Sequence, residues 1–245
     1  MRVVGVIPAR YSSTRLPGKP LKDICGKPMI WWVYQQVKKA RKIDVLFVAT
    51  DDTRIEEVLK KWNIPYVMTR NDHPTAANRL AEVAERVEGD FFVQINGDEP
   101  LIDEELVNAV VPDNIHEETE FGTNIITKMH NPTEVNDSSN IKVVFDENYK
   151  ALYMSRIPIP APIKSLDFDY YKHVGILGYN RKMLEFHQNS IPGRLERIEG
   201  IDTLRFIDYG KHLQFIEVSE CNSLSVDTEK DLLQVIKIIK TRGNS

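Results

Sequence analysis

Short apolar runs alternate with helix-period segments through the first hundred residues of the chain. Residues 3–8 are almost continuously apolar, the pattern of a strand buried on both faces of a parallel sheet. Residues 45–50, 66–68 and 91–95 repeat that signal. Between them the periodicity predicts helices over 28–42, from 53 to near 62, and over 76–87. Pro28 suits a first helical turn and basic residues close that segment, while Thr53 and Glu56 have capping-box spacing. The order βαβαβαβ predicts an α/β fold on an open, mostly parallel, Rossmann-like sheet.

Beyond residue 115 the rhythm changes. Strands are predicted over 122–127, 141–145, 151–154 and 174–179, with loops at 131–133, 136–140 and the proline-rich 157–162. A helix over 197–208, a strand over 213–218 and a capped helix after Asp227-Thr228 complete the pattern. No linker-like composition and no internal repeat interrupts it. The expectation is one domain over 1–245, with a nucleotide-binding half (about 1–115) and a mixed-sheet substrate half (about 116–245).

Composition removes several function classes. With 42% hydrophobic and 28% charged residues the 245-residue chain reads as globular, not disordered. Its 32 Lys and Arg against 36 Asp and Glu leave a net charge of −4, which disfavours non-specific nucleic-acid binding. No apolar stretch is long enough for a membrane span or a signal-peptide core, so a cytoplasmic protein without membrane partners is expected. Cys25 and Cys221 offer neither a disulfide framework nor zinc spacing and read as packing residues.

The richest stretch is the loop after the first strand, Ile7-Pro8-Ala9-Arg10-Tyr11-Ser12-Ser13-Thr14-Arg15-Leu16-Pro17-Gly18-Lys19-Pro20-Leu21. Open α/β sheets bind ligands at the carboxyl ends of their strands, and this loop leaves the first of them. Arg10, Arg15 and Lys19 among small residues suit a triphosphate; a solvated basic loop is the plain alternative. The loop lacks the upstream Gly and following Ser/Thr of a Walker A motif, and it is not Gly-x-Gly-x-x-Gly. Asp98 follows the fourth strand and Asp227 precedes the last helix. Either they share Mg²⁺ beside substrate phosphates, or Asp98 is a turn residue and Asp227 a helix cap.

These residues carry a resemblance. Ile-Pro-Ala-Arg followed by Ser-x-Arg-Leu-Pro-Gly-Lys-Pro-Leu is similar to the amino-terminal signature of the sugar-acid cytidylyltransferases, those acting on 3-deoxy-manno-octulosonate (Kdo) above all. The similarity runs on collinearly through Gly26-Lys27-Pro28-Met29-Ile30, Val48-Ala49-Thr50-Asp51, Gly97-Asp98-Glu99-Pro100 and Asn140-Ile141-Lys142-Val143-Val144. It continues at Ala151-Leu152-Tyr153-Met154-Ser155-Arg156, Lys172-His173-Val174-Gly175-Ile176, Leu195-Glu196-Arg197-Ile198-Glu199-Gly200 and Val226-Asp227-Thr228. It implies a nucleotide-diphospho-sugar transferase type of sheet. The implied reaction is attack by the anomeric hydroxyl of a 3-deoxy-2-keto sugar acid on the α-phosphate of CTP, releasing pyrophosphate. Positioning and charge neutralisation do most of the work in such a transfer.

By the same resemblance Asp98 and Asp227 are the magnesium ligands. Arg10 and Lys19 neutralise the phosphates, with Arg15 a weaker candidate, and Pro8, Ala9, Arg70, Thr75 and Ala76 face the nucleotide. Asn96, Lys142, Arg156, His173, Leu177, Glu196 and Glu199 fall on the sugar side. Each of the charged ones also has a plain reading, as an ion-pair member, a structural histidine or a first-turn helix charge. A homodimer through 151–180 is implied, because Leu152, Tyr153, Ile157, Ile159 and Ile163 need cover. A nucleotide-binding relative without catalysis and a sugar-phosphate nucleotidyltransferase are the competing readings.

Three departures stand out. Asn96 replaces a glutamine, Leu177 replaces a tyrosine, and Thr75-Ala76-Ala77-Asn78-Arg79 replaces Ser-Gly-Thr-Glu-Arg. The first two predict a changed sugar preference, toward a variant such as 8-amino-Kdo, since a site built for a hydroxyl rejects analogues lacking it. The third falls in the loop expected to face the cytosine.

Overall fold

The computed structural model describes residues 1–13, 16–115, 118–165, 167–219, 221 and 224–243. Chain order begins with β1 (Val3–Ala9), the ribbon strands β2 (Asp23–Ile24) and β3 (Lys27–Pro28), α1 (Met29–Val37), β4 (Val45–Thr50) and α2 (Thr53–Lys61). It continues with β5 (Tyr66–Met68), α3 (Ala76–Arg86), β6 (Phe91–Ile95), α4 (Glu104–Ala109), β7 (Phe121–Lys128), α5 (Pro132–Asn136), β8 (Lys142–Phe145) and β9 (Ala151–Ser155). Then come β10 (Tyr171–Asn180), α6 (Arg181–Asn189), α7 (Arg194–Glu199), α8 (Leu204–Asp208), β11 (His212–Val218) and α9 (Glu229–Gly243).

One sheet runs β11-β7-β10-β6-β1-β4-β5, with β8 attached to β10 and β9 to β8. The pairs β6–β1, β1–β4 and β4–β5 are parallel. Strand β10 pairs antiparallel with both β6 and β7, which makes the second half mixed, as the sequence predicts. The apolar run of β1 explains its central place. Val3 and Ile7 pack with Ile30 and Val33 of α1, and Val4 and Val6 pack on the opposite face with Leu80 and Val83 of α3. Because β1 and β6 are adjacent and parallel, the loops leaving them open on the same edge.

Several boundaries differ from expectation for identifiable reasons. The helix expected over 28–42 stops at Val37, and the basic residues beyond it are drawn to α4: Asn108 Oδ1 accepts from Lys42 N at 3.0 Å. Asp52, not Thr53, caps α2, accepting from Arg54 N, while Glu56 pairs with Lys60 and Tyr66. The helix expected over 197–208 splits at Gly200, whose φ of 65° is left-handed and ends α7. Helices α4, α5 and α6 escaped the sequence reading, although Asp103, Asn131 and Asn180 cap them.

The core also holds His187 of α6, with 0% exposure and, among the described residues, no hydrogen-bond partner on either ring nitrogen. Burial, with the Arg205 charge nearby, pushes its pKa down to about 3. Unfolding returns the ring toward an ordinary value near 6.5, so the unfolded chain binds the extra proton between those limits. Stability should therefore fall by a few kcal/mol as pH drops from 6.5 toward 3, and His187→Leu should flatten that dependence. Urea unfolding at stepped pH checks it; identical slopes for both proteins would disprove the contribution.

Candidate active site

A cleft of about 430 Å³ opens at the carboxyl ends of β1 and β6. Pro8, Ala9 and Arg10 enter it from β1 and the loop beyond, and Asn96, Gly97 and Asp98 from the end of β6. Gly97 is required there, since a Cβ would meet the Pro8 carbonyl oxygen at 2.9 Å. The loop after β1 is closed on itself by Gly18 N donating to Tyr11 O at 3.0 Å, which the left-handed Gly18 (φ 66°) permits. Tyr11 in turn lies under the Arg54 guanidinium, 3.3 Å from its ring centroid.

Lys19 begins a short 3₁₀ turn directly after Gly18 and reaches across the cleft. Its Nζ donates to Asp98 Oδ2 at 3.0 Å and to Asp227 Oδ1 at 2.8 Å. Two carboxylates separated by more than half the chain thus meet on one ammonium. The backbone enforces the meeting, because Val226 N donates to Asp98 O at 2.9 Å. The helix-cap alternative for Asp227 is also settled. Thr228 Oγ1 accepts from Asp231 N while Asp231 Oδ2 accepts from Thr228 N, so these two residues cap α9 and Asp227 faces Lys19. Burial alone would push the Lys19 ammonium down; attraction to Asp98 and hydrogen bonds to both carboxylates raise it above an ordinary lysine.

The sequence reading missed Arg79 as a site residue. It lies on α3 beside Ala76, is 1% exposed, and lines the cleft. Its guanidinium bonds Thr69 Oγ1, and its Nη2 faces Asp51 Oδ1 at 3.3 Å. Desolvation lowers its pKa against the pull of Asp51, the signature of a cation held in a poorly hydrated wall. The burial that marks it in the structure has no counterpart in the sequence pattern. Arg15 lies outside the described residues. Arg70 is exposed beside Asp72 and Glu82, outside the cleft wall. Thr75 caps α3, accepting from Asn78 N and donating to Asn78 Oδ1, so the departure at 75–78 is a change of cap chemistry.

A second polar cluster joins β8, β9, β10 and α7. Glu199 accepts from Ser155 Oγ at 2.7 Å, Tyr153 OH at 3.2 Å and Arg156 N at 3.1 Å. Burial pushes the Glu199 carboxyl up, and these bonds hold it below the usual range instead. The Arg156 guanidinium bonds the carbonyls of Glu199, Ser138 and Gly200. His173 Nδ1 sits 2.8 Å from Asn124 Oδ1. Asn124 Nδ2 is already committed to two carbonyls, which assigns the proton to Nδ1 and leaves Nε2 as an acceptor. Burial and the Arg156 charge lower the His173 pKa to about 4, so the ring is neutral at pH 7. The β10 register shifts between His173 and Leu177. Within that bulge Gly175 accepts from Asn96 N at 3.1 Å and leaves room for the Asn96 side chain, linking the cluster's strand to the cleft.

Three expected sugar contacts are corrected. Leu177 is 3% exposed and packs with Leu80, Phe92 and Tyr179 in the core, where it offers a ligand no contact. Lys142 is fully buried and donates to the carbonyls of Asp137, Asn140 and Arg156, which exhausts its three N–H groups. Glu196 is bound up with Arg205, both oxygens accepting from the guanidinium at 2.6 and 2.7 Å.

Comparison with known proteins then bears on this geometry. The family model described as cytidylyltransferase matches residues 4–214. The chain belongs to the cytidylyltransferase family. This cytidylyltransferase is 40% identical to a 3-deoxy-manno-octulosonate cytidylyltransferase of Fusobacterium nucleatum, over 98% of each chain. It is 41% identical to one from Leptospira interrogans, covering 98% of this chain and 97% of that one. A CMP:2-keto-3-deoxy-manno-octonic acid synthetase solved in complex with CTP superposes with a TM-score of 0.91. It is 34% identical, with 99% of this chain and 100% of that chain covered. An inositol-1-phosphate CTP transferase from T. maritima shares the fold alone, at 16% identity and a TM-score of 0.68. Among the described residues, no helix of the cytidylyltransferase is long and apolar enough to cross a membrane.

Proposed function

We propose that the chain transfers the cytidylyl group of CTP to 3-deoxy-manno-octulosonate or a close variant of that sugar acid. The anomeric hydroxyl attacks the α-phosphorus, the bond to the β-phosphate oxygen breaks, and CMP-sugar and pyrophosphate leave. The observation that carries this reading is the convergence of Lys19, Asp98 and Asp227 at the cleft beside Arg10 and Arg79. Like-named relatives at about 40% identity and the CTP-bound neighbour support the choice of nucleotide and sugar.

Arg10 is exposed at the cleft and free to swing onto phosphate oxygens as negative charge builds. Pro8, Ala9 and Ala76 offer small surfaces against which a flat base fits, with Arg79 as the cation behind them. Magnesium fits the two aspartates: both are hard oxygen donors, and Asp98 Oδ1 is buried without a hydrogen-bond partner among the described residues. When bound there it supplies phosphate orientation and charge neutralisation. On the sugar side, Asn96 lines the cleft, and Arg156, neutral His173 and Glu199 bring donors and acceptors suited to a carboxylate and hydroxyls.

With Leu177 in the core, only Asn96 still argues for an altered sugar. Pyrophosphate release with CTP, Mg²⁺ and Kdo, 8-amino-Kdo or N-acetylneuraminate tests the assignment. Release with Kdo-type acids and none with N-acetylneuraminate is expected; release with N-acetylneuraminate alone would refute it.

The half over 116–245 is proposed to pair two copies of the chain. Among the described residues strand β9 pairs with β8 alone, and it turns Leu152 outward at 54% exposure, with Ile157 at 67% and Ile163 at 87% nearby in sequence. Light scattering should give a dimer for the wild type and a monomer for Leu152→Asp. A monomeric wild type would end the proposal.

A further inference from the structure

The contact of Lys19 with both aspartates has a consequence for how the site loads. Lys19 has little freedom at its base, since Gly18 is left-handed and the 3₁₀ turn follows at once. Its four-carbon stem alone sets the position of the ammonium, and that ammonium lies 3.0 and 2.8 Å from the two carboxylates a cation would use. Without a positive charge between them, Asp98 and Asp227 would repel in a partly desolvated cleft. A divalent cation that took the same two oxygens, Asp98 Oδ2 and Asp227 Oδ1, would have to displace the Lys19 ammonium.

We propose that in the nucleotide-free chain the Lys19 ammonium holds the place of the divalent cation and keeps Asp98 and Asp227 positioned for it. Arriving phosphates draw Lys19 away and deliver the remaining oxygen ligands to the metal, so metal and nucleotide load together. Arg10 at the same mouth receives the phosphates as Lys19 changes partners. Such an exchange leaves the carboxylates neutralised in both states, which keeps their repulsion from driving them apart in the empty site. The inference rests on the two-aspartate metal site proposed above.

Binding of Mn²⁺ alone, followed by electron paramagnetic resonance without nucleotide, tests it. Lys19→Gln should bind Mn²⁺ about tenfold more tightly than the wild type, because one opposing charge is gone. The gain should vanish in Lys19→Gln/Asp98→Asn and be absent in Lys22→Gln, whose exposed partner is Glu229. The wild type gives a reading that needs no variant. Reductive methylation of Lys19, followed by mass spectrometry, should accelerate when Mn²⁺ alone is saturating. Equal Mn²⁺ affinity in Lys19→Gln and wild type, a gain that survives Asp98→Asn, or Lys19 labelling indifferent to Mn²⁺ would each overturn the exchange. If Mn²⁺ binds the wild type with CTP while any of these holds, only the role of Lys19 falls. If Mn²⁺ does not bind even with CTP, the metal site itself falls and the exchange with it.

Discussion

Asp98→Asn and Asp227→Asn are each expected to lower turnover by about 10²- to 10³-fold, with the fold intact. Asparagine preserves the shape of the side chain and removes its charge. Each carboxylate is one of the two groups that hold Lys19, and in the proposed reaction one of the two that would hold a divalent cation beside the phosphates. Both side chains keep partial exposure, 24% for Asp98 and 30% for Asp227, so the substitution costs little packing. Steady-state turnover at saturating CTP and sugar, with a thermal melt alongside, measures the effect. Near-wild-type turnover in either variant would remove that residue from the machinery.

Breaking the Glu196–Arg205 pair should have the largest effect on stability. Arg205 is 3% exposed and joins Glu196 by two hydrogen bonds while also donating to the carbonyls of His187 and Ser190. Arg205→Met leaves a buried carboxylate without its cation, a loss of about 3–5 kcal/mol. For a chain of this length that corresponds to a melting temperature lower by roughly ten degrees. Removing both charges, as in Glu196→Leu/Arg205→Met, should recover much of it. The same residue separates structure from substrate contact: Glu196→Gln should lower the melting temperature and leave the KM for the sugar unchanged. A raised KM at unchanged stability would restore Glu196 to the sugar site.

The parallel half was legible because buried strands write continuous apolar runs. Residues 3–8, 45–50, 66–68 and 91–95 each became a strand within a residue of the expected bounds. The polar ends of helices were less legible, because their limits are set by tertiary bonds such as Asn108 to Lys42, or by one left-handed residue such as Gly200. Position after a strand pointed to Arg10, Lys19 and Asp98, the family resemblance added Pro8, Ala9 and Asn96, and all six line the cleft. What spacing could not supply was which oxygen or ammonium is already committed. Lys142, Glu196 and Leu177 look like site residues in sequence, and only packing shows their donors, acceptors or faces used within the fold. Arg79 was overlooked for the converse reason, since an arginine on a helix reads as solvated until its 1% exposure is seen.

A phosphorus NMR spectrum of the protein with CTP, Mg²⁺ and Kdo tests cytidylyl transfer most directly. Cytidylyl transfer predicts loss of the three CTP resonances and growth of a phosphodiester signal together with pyrophosphate in equal amount. CTP persisting in the presence of every Kdo-type acid, or conversion to CMP or CDP with free phosphate and no phosphodiester, would contradict cytidylyl transfer.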